Sequence, residues 1–222
     1  MECNNSINIQ NPVIKKDNKE KENYKPKTIA EFINEDEIIF FISSTFNSII
    51  SYNKQLKKRQ KRSKHEYLHS SLTPVISLDG FIRLIIKYAE IERNTLIVSY
   101  LYIIKLINKE NFVLEKNNIY LLLLTSAVLA KKVLEDLVAE NSYYCQIGLF
   151  TEKELNLAEY SLFSRLDYKV NYSMLDVEQV YHEIFASLSN QRKAEFFQQQ
   201  NNNNNININN DIVNKSDKKS NI

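Results

Sequence analysis

Residues 117–136 read NNIYLLLLTSAVLAKKVLED. From Ile119 to Ala130 the apolar side chains run almost all the way round a helix, and a helix without a polar face has to be buried on every side. A membrane span needs about 20 apolar residues, and a shorter run of this kind belongs to a core helix. The stretch therefore predicts one central helix in a soluble protein. The pattern breaks at its end. Leu121, Leu124 or Thr125, and Val128 follow one another at helical spacing, and the next position on that face is Lys132. A lysine stands where the period asks for an apolar residue.

Composition points the same way. The chain has 222 residues, 43% of them hydrophobic, enough for one domain with a sizeable core plus tails. Its two glycines, Gly80 and Gly148, cannot write a phosphate-binding loop or a dinucleotide fingerprint, and with prolines only at 12, 26 and 74 an all-β fold lacks its turns. The expected class is all-α. A net charge of +2 selects no partner, because the basic residues are local. No apolar signal region opens the chain, so export is not expected, and Cys3 and Cys145 read as reduced thiols.

Outward from the central helix, capping signals and apolar stripes divide the chain. Residues 1–27 are rich in Lys, Glu and Asn and read as a disordered arm. Residues 28–73 hold an N-terminal helix over 35–52, announced by Thr28 with Glu31 and Asn34 with Glu37, then a basic linker. Over 74–173 the helices follow closely. Ser77 caps a stripe of Leu78, Phe81, Ile82, Ile85 and Tyr88. Asn94 or Thr95 caps Leu96 to Ile107, and the central helix and a short element over 141–147 follow. Thr151 with Glu154 opens a helix with the stripe Leu155, Ala158, Leu162 and Leu166. Ser173 caps a last helix over 174–197, and the Asn-rich tail 198–222 reads as disordered low complexity.

Two motifs in the linker carry candidate chemistry. In KQLKKRQKRSK, residues 54–64, seven of eleven are basic. Lys57, Lys58, Arg59, Lys61 and Arg62 are candidates for a nuclear-import signal, with a nucleic-acid contact or a solvated linker as alternatives. No aromatic residue interleaves with the charges, which weighs against single-strand binding. His65-Glu66-Tyr67-Leu68-His69 matches the H-E-x-x-H zinc pattern. That chemistry needs both imidazoles one turn apart on a helix, a third ligand, and a glutamate acting on metal-bound water. Ser70, Ser71 and Pro74 break any helix at once, and His182 stands in no ligand arrangement, so the match reads as a linker and no metal or cofactor is expected.

Glu159 is a second intruder, one turn after Leu155 and one turn before Phe163 on the flank of an apolar face. Lys132 and Glu159 thus place opposite charges beside core faces of different helices. They either pair at the edge of the core or snorkel separately to water, and spacing leaves both open.

In order along the chain, PVISLDGFIRLIIKY (74–88), LLLLTSAVLAKKVLED (121–136), ENSYYCQIGL (140–149) and TEKELNLAEYSLFSRLDYKVNYS (151–173) together resemble the box of the P/U-type cyclins. The helix over 35–52 resembles the N-terminal helix of that subgroup. The resemblance implies a five-helix bundle around residues 119–136. It also implies that Lys132 and Glu159 match the lysine and glutamate with which cyclins grip the kinase backbone ahead of its movable αC helix. Glu135 and Asp136 match an acidic pair that would face basic residues near the kinase activation segment. The chain departs from the subgroup at Leu84, where arginine is usual, at Ile104 and Lys105, where an Asp-Arg pair is usual, and at Ala158, where leucine is usual. The implied function is a non-enzymatic regulatory subunit forming a heterodimer with a cyclin-dependent protein kinase, in the nucleus, the cytoplasm or both, with no membrane or nucleic-acid partner expected. The alternative is a cyclin-fold scaffold or nucleic-acid-associated adaptor.

Overall fold

The helices opened by Thr28, Asn34, Ser77, Thr151 and Ser173 begin where a short polar side chain accepts from a free amide of the first turn. The computed structural model describes residues 28–56, 68 and 74–200, and residues 28–196 form one unit, described below. Helices α1 (Ile29–Phe32) and α2 (Glu35–Leu56) come first. Thr28 and Glu31 bond each other's backbone amides, and so do Asn34 and Glu37, the latter at 2.9 Å both ways. The three carboxylates of the first turn of α2 suit the positive end of the helix dipole.

Next come α3 (Leu78–Ala89), α4 (Arg93–Glu110), α5 (Ile119–Leu134) and α6 (Asn141–Tyr144). A 3-10 turn (Cys145–Gly148) then leads into α7 (Glu152–Arg165) and α8 (Met174–Ser187). Ser77, Thr151 and Ser173 cap α3, α7 and α8 as the sequence predicts, the last two as full capping boxes. No strand occurs among the described residues. The five helices α3 to α7 and the flanking α-helices make an all-α fold.

Helix α5 is the core. Ile119 and every residue from Leu121 to Lys131 are buried, with α4 and α7 packed most closely and α3 also against it. The apolar stripe of α2, Ile38, Ile39, Ile42, Phe46 and Ile50, is buried against α3, α4 and α8. Where the subgroup's usual charged residues are missing, Leu84 and Ile104 pack as partly buried apolar groups against the core.

Three expectations need correction. The N-terminal helix continues past residue 52 to Leu56, so the start of the basic block is helical. Neither Asn94 nor Thr95 caps α4. Its N-cap is Glu92, which makes no side-chain capping bond, and Thr95 is buried instead. The single helix expected over 174–197 is two. Leu188 is extended, with φ −66° and ψ 157°, and a new helix, α9, starts at residue 190 with the hydroxyl of Ser189 accepting from the Arg192 amide at 3.2 Å. A serine with its own free amide partner competes with continuing the helix.

The break turns α9 back onto α1. The rings of Phe32, Phe185 and Phe196 cluster at centroid distances of 5.0 to 6.3 Å. Arg192 lies 3.9 Å from the centre of the Phe32 ring and donates to Glu37 Oε1 at 2.7 Å and to the Phe32 carbonyl at 3.3 Å. Arg192→Ala removes these contacts together, and a net loss of about 1–3 kcal/mol is expected. Amide hydrogen exchange should accelerate in α1 and the start of α9 while α5 stays protected. Unchanged protection in α1 would contradict the clasp.

Candidate partner-binding site

The two intruders meet. Lys132, in the last turn of α5, donates to both carboxylate oxygens of Glu159 in α7, at 2.7 Å each. The side chains keep 32% and 18% of their exposure, so the pair sits at the rim of the core, where water lowers the cost of holding charge. Of the two arrangements left open by spacing, pairing is the one adopted.

The approach from α6 to α7 is built for this meeting. The 3-10 turn reverses the chain, and at Gly148 any Cβ would collide with the Phe150 ring, so the ring's close approach requires glycine. Asn141 then lies opposite α7. Its Nδ2 donates to Glu159 Oε2 and to Asn156 Oδ1, both at 2.6 Å. Beyond Lys132 the chain exposes Leu134, Leu137 and Val138 in quick succession, with Leu137 at 85%.

Lys131, which sequence reasoning passed over, is the buried lysine. It pairs with Glu135 one turn on, at side-chain exposures of 6% and 10%, and also donates to the Glu90 carbonyl at 3.1 Å. Glu90 sits at the left-handed end of α3, with φ 50°. The second oxygen of Glu135 accepts from the Glu92 amide at 3.1 Å, and the Thr95 hydroxyl also bonds this carboxylate. Glu135 therefore ties the end of α5 to the α3–α4 corner through the amide of Glu92, the residue that opens α4. The i,i+4 spacing of Lys131 and Glu135 is repeated by Lys132 and Asp136, so spacing alone does not single out the buried pair.

Glu135 accordingly does not stand beside Asp136 as a partner-facing acidic pair. It turns inward, while Asp136 is exposed. The candidate import residues Lys57, Lys58, Arg59, Lys61 and Arg62, and the zinc-like His65, Glu66 and His69, lie outside the described residues. Among the described residues no cluster of His, Cys, Asp or Glu could hold a metal ion, and no helix is long and apolar enough to cross a membrane.

Burial alone would raise the Glu135 carboxyl, but the hydrogen bonds from Lys131, Thr95 and the Glu92 amide outweigh it and hold the group below the usual glutamate range. A carboxyl lowered on folding adds stability that is complete above about pH 5 and is lost as pH falls through the lowered value. Lys131→Met leaves this carboxylate buried without its cation and should cost about 3–5 kcal/mol in urea unfolding at pH 7. Adding Glu135→Leu should recover much of that loss and flatten the acid limb of stability. A single mutant as stable as wild type would show that the pair is not buried in solution.

A family model described as cyclin matches residues 3–170, a span that takes in α1 and α2 as well as α3 to α7. Among curated proteins, cyclin-U4-2 of Arabidopsis thaliana is 25% identical over 156 residues, covering 69% of this chain and 70% of the relative. Cyclin-U1-1 of the same plant is 28% identical over 139 residues, covering 61% and 66%. PHO85 cyclin-7 of Saccharomyces cerevisiae is 24% identical over 194 residues, covering 78% and 68%. An all-α bundle around a buried helix, matched over most of its length by that family model and by plant and yeast relatives of one subgroup, makes this chain a member of the cyclin family, of the P/U type.

Proposed function

We propose that this cyclin is a regulatory subunit that binds a cyclin-dependent protein kinase and holds the kinase αC helix in its active position. The observation that carries the reading is the Lys132–Glu159 pair, joined at 2.7 Å and partly open to water at the two positions that match those the family uses against the kinase backbone. Each member offers what a peptide unit needs. The ammonium donates to a carbonyl oxygen, and the carboxylate accepts from an amide N–H. Leu134, Leu137 and Val138 supply apolar area beside them, and Asp136 adds an exposed negative charge. The name of the yeast relative, PHO85 cyclin-7, supports a kinase partner of that kind.

The mechanism is a population shift. A subunit that binds the active conformer better than the inactive one stabilises it by the difference in the two binding energies, and the catalytic groups all belong to the kinase. A durable complex of this type buries on the order of 1,600 Å² in total. A charged pair near the centre of such an interface is lost at high cost, because the partner's backbone groups stay buried without a match.

Lys132→Ala and Glu159→Ala should each weaken kinase binding by about 2 kcal/mol or more, roughly thirtyfold, with the helical content kept. The wild-type chain and the double mutant are to be purified from their own cells, bound proteins identified by mass spectrometry, and affinity measured on the recovered kinase. A kinase bound equally by both would remove Lys132 and Glu159 from the interface. Good recovery with no kinase, and salt-sensitive DNA binding in its place, would favour the adaptor reading.

A further inference from the structure

We propose that Asn141 is the positioning residue of the Lys132–Glu159 site, holding the Glu159 carboxylate in place while Lys132 exchanges it for the partner's backbone. The proposal rests on the reading of that pair as the kinase contact.

Asn141 opens α6 and is nine-tenths buried. Both hydrogens of its amide are committed to α7, one to Asn156 Oδ1 and one to Glu159 Oε2, each at 2.6 Å. These acceptors are three residues apart and share one face of the helix. The other end of the amide is bare: Oδ1 is buried and has no hydrogen-bond partner. A buried carbonyl left unmatched is unfavourable, and an asparagine serving only to fill the space between α6 and α7 would satisfy both of its ends. Here one end is left unmatched so that the other presents two donors to α7. The arrangement fits the demands of the carboxylate, not those of the amide.

The demand comes from Lys132. Its stem is long and flexible, and its ammonium spans both oxygens of Glu159. When the ammonium turns to a partner's carbonyl, a glutamate held by that ion pair alone would be free to follow it. The Asn141 amide keeps Oε2 fixed and leaves Oε1 for an incoming N–H. Geometry held before contact lowers the ordering cost of binding.

The residue type is selective. The groups facing this position are Lys132 from α5 and Asn156 and Glu159 from α7. Asn141→Ala removes the donor. Asn141→Asp keeps the shape but sets a second carboxylate against Glu159, and two carboxylates so close share one proton at reduced pH.

The test has two arms. In the free full-length chain, the Asn141 side-chain NH₂ signals in a proton–nitrogen NMR spectrum should lie away from solvent-exposed values and move on Glu159→Ala. Signals indifferent to that change would overturn the proposal. In the second arm, the cyclin-dependent kinase that co-purifies with the wild-type chain is made recombinantly and titrated calorimetrically. Asn141→Ala should weaken binding about tenfold or more, with the loss constant between pH 7.5 and 6. Asn141→Asp should weaken it further and recover in part at pH 6, a dependence that loss of packing alone would not produce. Affinities equal to wild type in both folded variants, while Lys132→Ala still weakens binding, would overturn the role of Asn141 and leave the kinase reading standing. If the wild-type chain binds no kinase, the kinase reading fails, and the amide signals decide the Asn141–Glu159 contact by themselves.

Discussion

Every residue of α5 from Leu121 to Lys131 is buried, and the hydroxyl groups inside that span are satisfied within the helix. Thr125 and Ser126 return their hydroxyls to carbonyls of the preceding turn, at 2.7 and 3.0 Å. All the charge of the helix is therefore concentrated in its last turn, where Lys131 and Lys132 also face the negative end of the helix dipole. Adjacent residues on a helix point about 100° apart, so one lysine must turn to the α3–α4 corner when the other turns to α7. The architecture of the site follows from this. A helix enclosed all round leaves the core at its end, and a carboxylate meets each lysine there.

The two ion pairs differ in what water allows them to do. Lys131–Glu135 is almost dry, so its Coulomb attraction is strong, but so is the desolvation it has to offset, and its net contribution to stability is small or negative against an apolar equivalent. What it secures is geometry, since the Glu135 carboxylate fixes the Glu92 amide and the α3–α4 corner in one position. Lys132–Glu159 keeps part of its exposure to water and is less costly to separate. Of two neighbouring lysines, the buried one suits structure and the rim one suits recognition.

Much of this was readable in the chain because it is local. Capping residues act within one turn, so Thr28, Asn34, Ser77, Thr151 and Ser173 announced their helices, and the unbroken apolar run announced the core. Lys132 and Glu159 were legible as breaks in a period. What stayed hidden depends on partners distant in sequence. The residue that opens α4, Glu92, donates its amide to a carboxylate 43 residues further on, and neither Asn94 nor Thr95 caps the helix. Lys131 could not be told from its neighbour by spacing, because the choice between inward and outward is made by the turn of α3 that receives it. Asn141 carries no periodic signal at all. It stands out once α6 has been laid against α7.

The N-terminal layer shows how a similar division of labour works without a partner in view. Arg93 reaches the Ala30 and Ile33 carbonyls, Arg192 reaches Glu37 and the Phe32 carbonyl, and Arg83 meets Asp36 at 2.6 Å. The last of these lies in open water and contributes little. Beneath them Ile38, Ile39, Ile42, Phe46 and Ile50 are buried, each stabilising by about 1.5–3 kcal/mol. That apolar sum exceeds anything the arginines supply, so burial holds α2 to the bundle. The arginines act on a different quantity. An apolar stripe tolerates small rotations and slides, whereas a guanidinium bonded to two fixed acceptors does not, so Arg93, on the Ala30 and Ile33 carbonyls, and Arg192, on the Glu37 carboxylate and the Phe32 carbonyl, set the register in which α1 and α2 are buried.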